Sequence, residues 1–169
     1  MKCTKCHTKS TFNLSTLQDL VKTLEFAIRE IDEKSCESIE NVKTIYYEAE
    51  KVFTSLNIRL CQLADRIVTW AVDHQDFRTA AEFIEKTFPC FEHVYPGEYP
   101  SLSLQYFKAG KLHALNDSTL ELAAQRLEMA VKSLRVSHGI KHHLHEEANQ
   151  LLLHVEQQRR ELLARGYYN

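Results

Sequence analysis

Apolar residues recur at three- and four-residue intervals along almost the whole chain, the spacing that lines one face of an α-helix. The first stripe is Leu17, Leu20, Val21, Leu24, Ile28 and Ile31; Ser15, with Gln18 three residues on, matches a capping box, so a first helix is expected to open there. The polar stretch "DEKSCES" ends it. A second stripe (Ile39, Val42, Ile45, Tyr46, Ala49, Val52, Phe53) predicts a helix over residues 38–55. The third follows Asn57 and carries Leu60, Leu63, Ala64, Ile67, Val68 and Ala71, with Trp70 beside the stripe. Asp76 is a good N-cap for a fourth helix bearing Phe77, Ala80, Ala81, Ile84 and Phe88. Pro89 should kink that helix rather than end it, because Phe91 and Val94 continue the pattern as far as "YPGEYP". A fifth helix begins at Ser101 (Leu104, Phe107, Leu112), with Gly110 allowing a close helix crossing. After a polar turn at Asn116, Asp117 and Ser118, a sixth helix runs to Ser137 and stops at Gly139, and a seventh spans 143–164. No stretch alternates as a strand does, so the fold class is all-α.

The pattern also repeats. Phe77, Ala80, Ala81, Ile84 and Phe88 reappear as Leu120, Ala123, Ala124, Leu127 and Val131, each shifted by 43 (124 − 81). A helix pair recurring at roughly 34–47 residues is the mark of a tetratricopeptide-like (TPR-like) array, here an antiparallel helix-pair array of about seven helices. The polar "EQQRRE" face of the last helix suits the end of such an array.

Composition narrows the function. Only four Gly and three Pro interrupt 169 residues, which lets long stretches stay helical. A net charge of −2 supplies no field for nucleic acid or an anionic membrane, so neither is expected as a partner. No apolar run reaches the roughly 18 residues of a spanning helix, and "MKCTKCHTKS" lacks the apolar core of a signal peptide. Five Cys without framework spacing place the chain in a reducing compartment, the cytoplasm and/or the nucleus.

Candidate chemistry is sparse. Cys3 and Cys6 form a C-x-x-C that can supply two of the four ligands of a tetrahedral zinc site, and no second pair lies near them. The alternative is two incidental cysteines. Cys36, Cys61 and Cys90 fall within helical patterns and read as buried thiols. His138, His142, His143 and His145 crowd one helix start beside Glu146 and Glu147, but the second His of H-E-x-x-H is missing, so they read as capping and turn residues. Acid–base pairs, nucleophile motifs and phosphate-cradling glycine loops are not found, and no catalytic or cofactor-binding residue is assigned. Helix arrays of this kind bind extended peptides in a groove, and Arg59, Arg66, Lys108 and Lys111 on the third and fifth helices are the candidate groove residues. Their spacing does not reproduce the Lys-x-x-x-Asn pattern of carboxylate-clamp domains.

"YPGEYPSLSLQYFKAGKL" followed by "LEMAVKSLRVSHGIKHH" resembles the C-terminal helical domain of the SET-and-MYND (SMYD) family of protein-lysine methyltransferases. The matching positions are Gly97, Pro100, Gly110-Lys111-Leu112, Ala130, Arg135-Val136, His138-Gly139 and His142. Tyr99 stands where the family has His in the first turn, and His143 where it has Pro in the second. The resemblance implies a TPR-like domain over 14–169, preceded in residues 1–13 by the remnant of a post-SET cysteine cluster in which Cys3 and Cys6 are the last zinc ligands. Zinc would then need ligands from upstream of this chain. The family's SET and MYND motifs are not in the sequence, so the S-adenosylmethionine (SAM) cofactor of the parent family has no site in this chain. The implied role is a non-catalytic interaction domain. Its implied partners are the SET domain of a parent protein and a protein or peptide, either a methylation substrate or an Hsp90-type chaperone. Two alternatives stand beside it: a piece of an active SAM-dependent protein-lysine N-methyltransferase, and a freestanding TPR adaptor.

Overall fold

The computed structural model describes residues 13–36 and 38–165. Among the described residues seven α-helices follow one another: α1 (Leu14–Asp32), α2 (Ile39–Glu50), α3 (Ile58–Asp73), α4 (Phe77–Val94), α5 (Pro100–His113), α6 (Leu120–Ser137) and α7 (His143–Ala164). No strand occurs among the described residues. The all-α reading is therefore correct, and the remnant expected in residues 1–13 falls, but for Asn13, outside the described residues.

α1, α3, α4 and α7 start where a side chain satisfies an orphan amide. Asn57 Oδ1 accepts from the Arg59 and Leu60 amides at 2.9 and 3.1 Å, and Asp76 accepts from the Thr79 amide at 3.1 Å. The α1 cap differs from the expected one: Asn13, not Ser15, accepts an amide, that of Ser15, and the helix opens at Leu14. α2 ends at Glu50 rather than at residue 55, in turns where Phe53 N–H bonds back to Ala49. α5 starts at Pro100 rather than Ser101, since proline at the first helical position gives up an amide that had no partner anyway. A short 3-10 turn, Asp117–Thr119, precedes α6. Gly139 closes α6 with φ +96°, a conformation that side-chain-bearing residues rarely adopt.

Consecutive helices run antiparallel. Across α3 and α4, Cys61 Sγ donates to the Thr87 carbonyl while Cys90 Sγ donates to that of Leu56, so residue numbers rise on one helix as they fall on the other. The α5–α6 pair is tied by Ser103, whose Oγ lies 2.5 Å from Ser133 Oγ and 3.0 Å from Ser137 Oγ. Helices two apart run parallel and are joined by charged pairs. Glu25 meets Arg59 and Asp32 meets Arg66, both 34 residues on (59 − 25, 66 − 32). Across α2 and α4, Tyr47 donates to Glu82 and Lys86 to Glu50, at separations of 35 and 36. The interval widens to 41 for Glu85 with Arg126, because the chain between α3–α4 and α5–α6 includes the extended end of α4 and the "YPGEYP" turn.

Pro89 lies inside α4, which continues to Val94 as expected. The inward side of α4 is the expected one at Ala80, Ile84 and Phe88, all of them buried, but not at Phe77. Phe77 is 40 % exposed, whereas Phe83 is fully buried together with Ala80 and Ile84. Leu104 of α5 likewise faces outward, and Leu102, Tyr106 and Ala109 are buried in its place.

Gly110 permits the close α5–α6 crossing. A Cβ added there would lie 2.5 Å from Leu127 Cγ and 3.3 Å from the Leu127 amide nitrogen, and Leu127 is itself fully buried. Alanine gains up to about 1 kcal/mol of helix propensity over glycine, and overpacking costs about 1–3 kcal/mol. Gly110→Ala is therefore expected to lower stability by about 1–2 kcal/mol in urea denaturation. An unchanged or raised midpoint would show that Leu127 has room to move.

Candidate functional site

The four basic residues nominated from the sequence all lie on odd-numbered helices, and each already faces a carboxylate. Arg59 meets Glu25 at 3.0 Å and Arg66 meets Asp32 at 2.6 Å, both across α1–α3. Lys108 of α5 lies 3.8 Å from Asp65 of α3, and Lys111 of α5 lies 2.8 Å from Glu147 of α7. The Arg66 Nε contact is short but off the N–H direction, so it is ionic rather than a directed hydrogen bond. The result is a ladder of charge running α1–α3–α5–α7. Its members are partly exposed, so each rung contributes at most about 1 kcal/mol and exchanges readily with a competing carboxylate.

Arg66 stands between two depressions. One, of about 400 Å³, is lined by Asp32, Cys36, Trp70, Asp73 and His74 among others. Trp70 is half-buried there, its ring stacked on His74 at 3.8 Å. The other, of about 230 Å³, opens between α3 and the end of α4, with Ile58, Phe91, Val94 and Tyr95 supplying its apolar wall. A basic group flanked by an indole on one side and apolar walls on the other can hold a peptide carboxylate and the side chain beside it. Lys108 and Lys111 line neither depression.

Cys3 and Cys6 lie outside the described residues. Among the described residues no group of three His, Cys, Asp or Glu is arranged to hold a metal ion. His142 caps α7 by accepting the Leu144 amide through Nδ1, and its ring lies 4.9 Å from His138 and 4.4 Å from His143. Desolvation, then the charges of His143 and His138, hold the His142 pKa below its ordinary value.

A second constellation had no signal in the sequence. Glu85 of α4 accepts from His113 Nε2 at 2.9 Å, and from Arg126 Nε at 3.2 Å and an Arg126 terminal nitrogen at 2.5 Å. The Arg126 guanidinium lies 4.0 Å over the Phe88 ring, which stacks on Tyr106. Burial would raise the Glu85 carboxyl, but hydrogen bonds and charge from His113 and Arg126 outweigh it and hold the pKa below the usual carboxylate value. Glu85 and His113 also form one wall of a depression of about 830 Å³ between α4 and the α5–α6 turn. These residues are 28 and 41 positions apart, so only their near-repeat spacing could have paired them.

No protein-family model matches the chain. Over 129 residues it is 31 % identical to the histone-lysine N-methyltransferase ASHR1 of Arabidopsis thaliana. The chain is similar in sequence to a lysine methyltransferase. The match takes in 71 % of this chain but 27 % of that relative, so the chain spans little more than a quarter of the relative's length. Among the described residues no helix is long and apolar enough to cross a membrane.

Proposed function

We propose that this chain is the non-catalytic, TPR-like protein-interaction region of a SMYD-type protein-lysine methyltransferase, recognising an extended peptide on the face of its odd-numbered helices. The observation that carries the reading is the similarity of an all-helical segment to part of a histone-lysine N-methyltransferase. The ligand is a peptide with an acidic side chain or C-terminal carboxylate, drawn from a methylation substrate or an Hsp90-type chaperone, in the cytoplasm and/or the nucleus. Such a peptide displaces Asp32 from Arg66 rather than filling a vacant cationic site, so binding weakens with added salt. Zinc at Cys3 and Cys6 belongs to the same reading and needs upstream ligands.

Trp70, the single tryptophan, reports on this face. Titrating acidic peptides is expected to change its fluorescence, and Arg66→Ala is expected to weaken the binding about tenfold or more. Calorimetry checks the affinity. Binding unaffected by Arg66→Ala, or no binding by any acidic peptide, would remove the proposal.

A second reading, favoured by the 27 % span of the relative, is that the chain works only as part of a longer, active SAM-dependent lysine methyltransferase. Sequencing the transcript upstream of Met1 decides it: an open frame carrying SET and MYND motifs supports this reading, and a stop codon in frame excludes it.

A further inference from the structure

The depression between α4 and the α5–α6 turn shares no lining residue with the two that flank Arg66. Its volume of about 830 Å³ falls within the range of ligand pockets, about 300–1,000 Å³. Part of the lining is apolar and open to solvent: Phe77, in the first turn of α4, is 40 % exposed, and Leu115, just after α5, is 60 % exposed. Ala81 and the buried Leu112 complete that part.

The rest of the lining is mostly acidic, with Glu82, Glu85 and Asp117 against Arg78, the only Lys or Arg among the described residues that line it. Glu85 is already engaged by Arg126 and His113. Glu82 differs: Tyr47 donates to it through a hydroxyl that carries no charge, so the carboxylate keeps its full negative charge at the surface. Arg78 stands four residues before Glu82 on α4, where an arginine can reach the carboxylate and compete with a ligand for it. The wall holds one further unmet group. His113 is 4 % exposed, its Nε2 donates to Glu85, and its Nδ1 is buried with no hydrogen-bond partner. With Nε2 as the donor, the neutral ring leaves Nδ1 an acceptor for an N–H group.

We propose that this depression binds an arginine-bearing basic peptide segment, its guanidinium lying against Phe77 and donating to Glu82. A carboxylate beside an exposed aromatic ring suits a guanidinium better than an ammonium, because the planar fork donates two parallel hydrogen bonds while its face stacks on the ring. A space of this volume takes several residues of an extended segment, whose apolar side chains rest on Ala81 and Leu115. The sign of the ligand is opposite to that proposed for the Arg66 face, and binding here does not depend on binding there.

A fluorescently labelled peptide of alternating arginine and alanine, followed by anisotropy against the full chain, tests the site. Glu82→Gln removes the charge while keeping an acceptor for Tyr47; it and Phe77→Ala are each expected to weaken binding about tenfold. Arg78→Gln is expected to tighten binding several-fold, because the competing cation is gone. Arg66→Ala should leave it unchanged, which separates this site from the Arg66 face. On the unsubstituted chain, saturating peptide should slow amide hydrogen exchange within residues 77–85 and 112–119. Protection confined to other helices would overturn the proposal, as would binding that Glu82→Gln and Phe77→Ala leave intact or that Arg78→Gln weakens. No binding at low salt would overturn it too. Should a variant fail to fold, the exchange map of the unsubstituted chain decides by itself.

Discussion

Phe83→Ala is expected to remove about 3–5 kcal/mol of stability, whereas Phe77→Ala, one turn and a half earlier on α4, should cost less than about 1 kcal/mol. Phe83 is fully buried, set edge-on to Tyr46 at 5.1 Å and tilted against Tyr47 at 5.8 Å. Truncation leaves a cavity that these two rings cannot refill, since Tyr46 is itself buried and Tyr47 is held by its hydrogen bond to Glu82. Burial and that hydrogen bond push the Tyr47 hydroxyl up to about 12, so it remains a donor throughout the ordinary pH range. Phe77 is 40 % exposed, and its ring borders the depression beside the α5–α6 turn. Urea denaturation of the two variants checks the contrast. Equal losses would restore Phe77 to the core and overturn the orientation of α4.

The second large effect belongs to Glu85. Glu85→Ala leaves the Arg126 guanidinium, 18 % exposed, and the buried His113 without their shared acceptor. Breaking a fully buried pair costs about 3–5 kcal/mol; with the Glu85 side chain 25 % exposed, about 2–3 kcal/mol is expected near pH 7. The pH dependence follows from the direction of the shift. Glu85 is held below the ordinary carboxylate value in the folded chain, so its contribution is complete above the unfolded-state pKa and is lost as pH falls through the lower folded value. The stability gap between the native chain and Glu85→Ala should thus stay level from neutral to mildly acidic pH and close under stronger acid. A gap independent of pH down to acid unfolding would mean that the contribution of Glu85 is packing rather than charge.

Local features were legible in the sequence because their causes are local. Asn57 and Asp76 cap helices through amides two or three residues away, Pro89 and Gly139 act on their own backbone, and the α3 stripe from Leu60 to Ala71 is buried as read. Gly110 was legible because a glycine inside an otherwise strong helix calls for a close neighbour, and Leu127 is that neighbour. The errors fall on α4 and α5, which neighbours cover on more than one side. An amphipathic stripe identifies one buried face, but α5 is buried at Leu102, Ser103, Tyr106, Phe107, Ala109 and Leu112, positions spread around the helix. Choosing Leu104 or Phe77 by periodicity alone was a choice among faces that all looked apolar. The Glu85–His113–Arg126 group was invisible for a different reason: scattered charges on amphipathic helices read as solvated until the packing of the array brings three helices together.

The charged rungs between every second helix have a mechanical consequence. Each rung couples a helix to its next-but-one neighbour and to nothing farther away, so the molecule resembles a row of linked beads more than a single block. Opening that begins at α1 has to release Glu25–Arg59 and Asp32–Arg66 before α3 is disturbed, and opening from α7 has to release Lys111–Glu147 before α5 is. Fraying at either end can therefore halt one helix pair inward, leaving the middle of the array standing while its ends exchange with solvent.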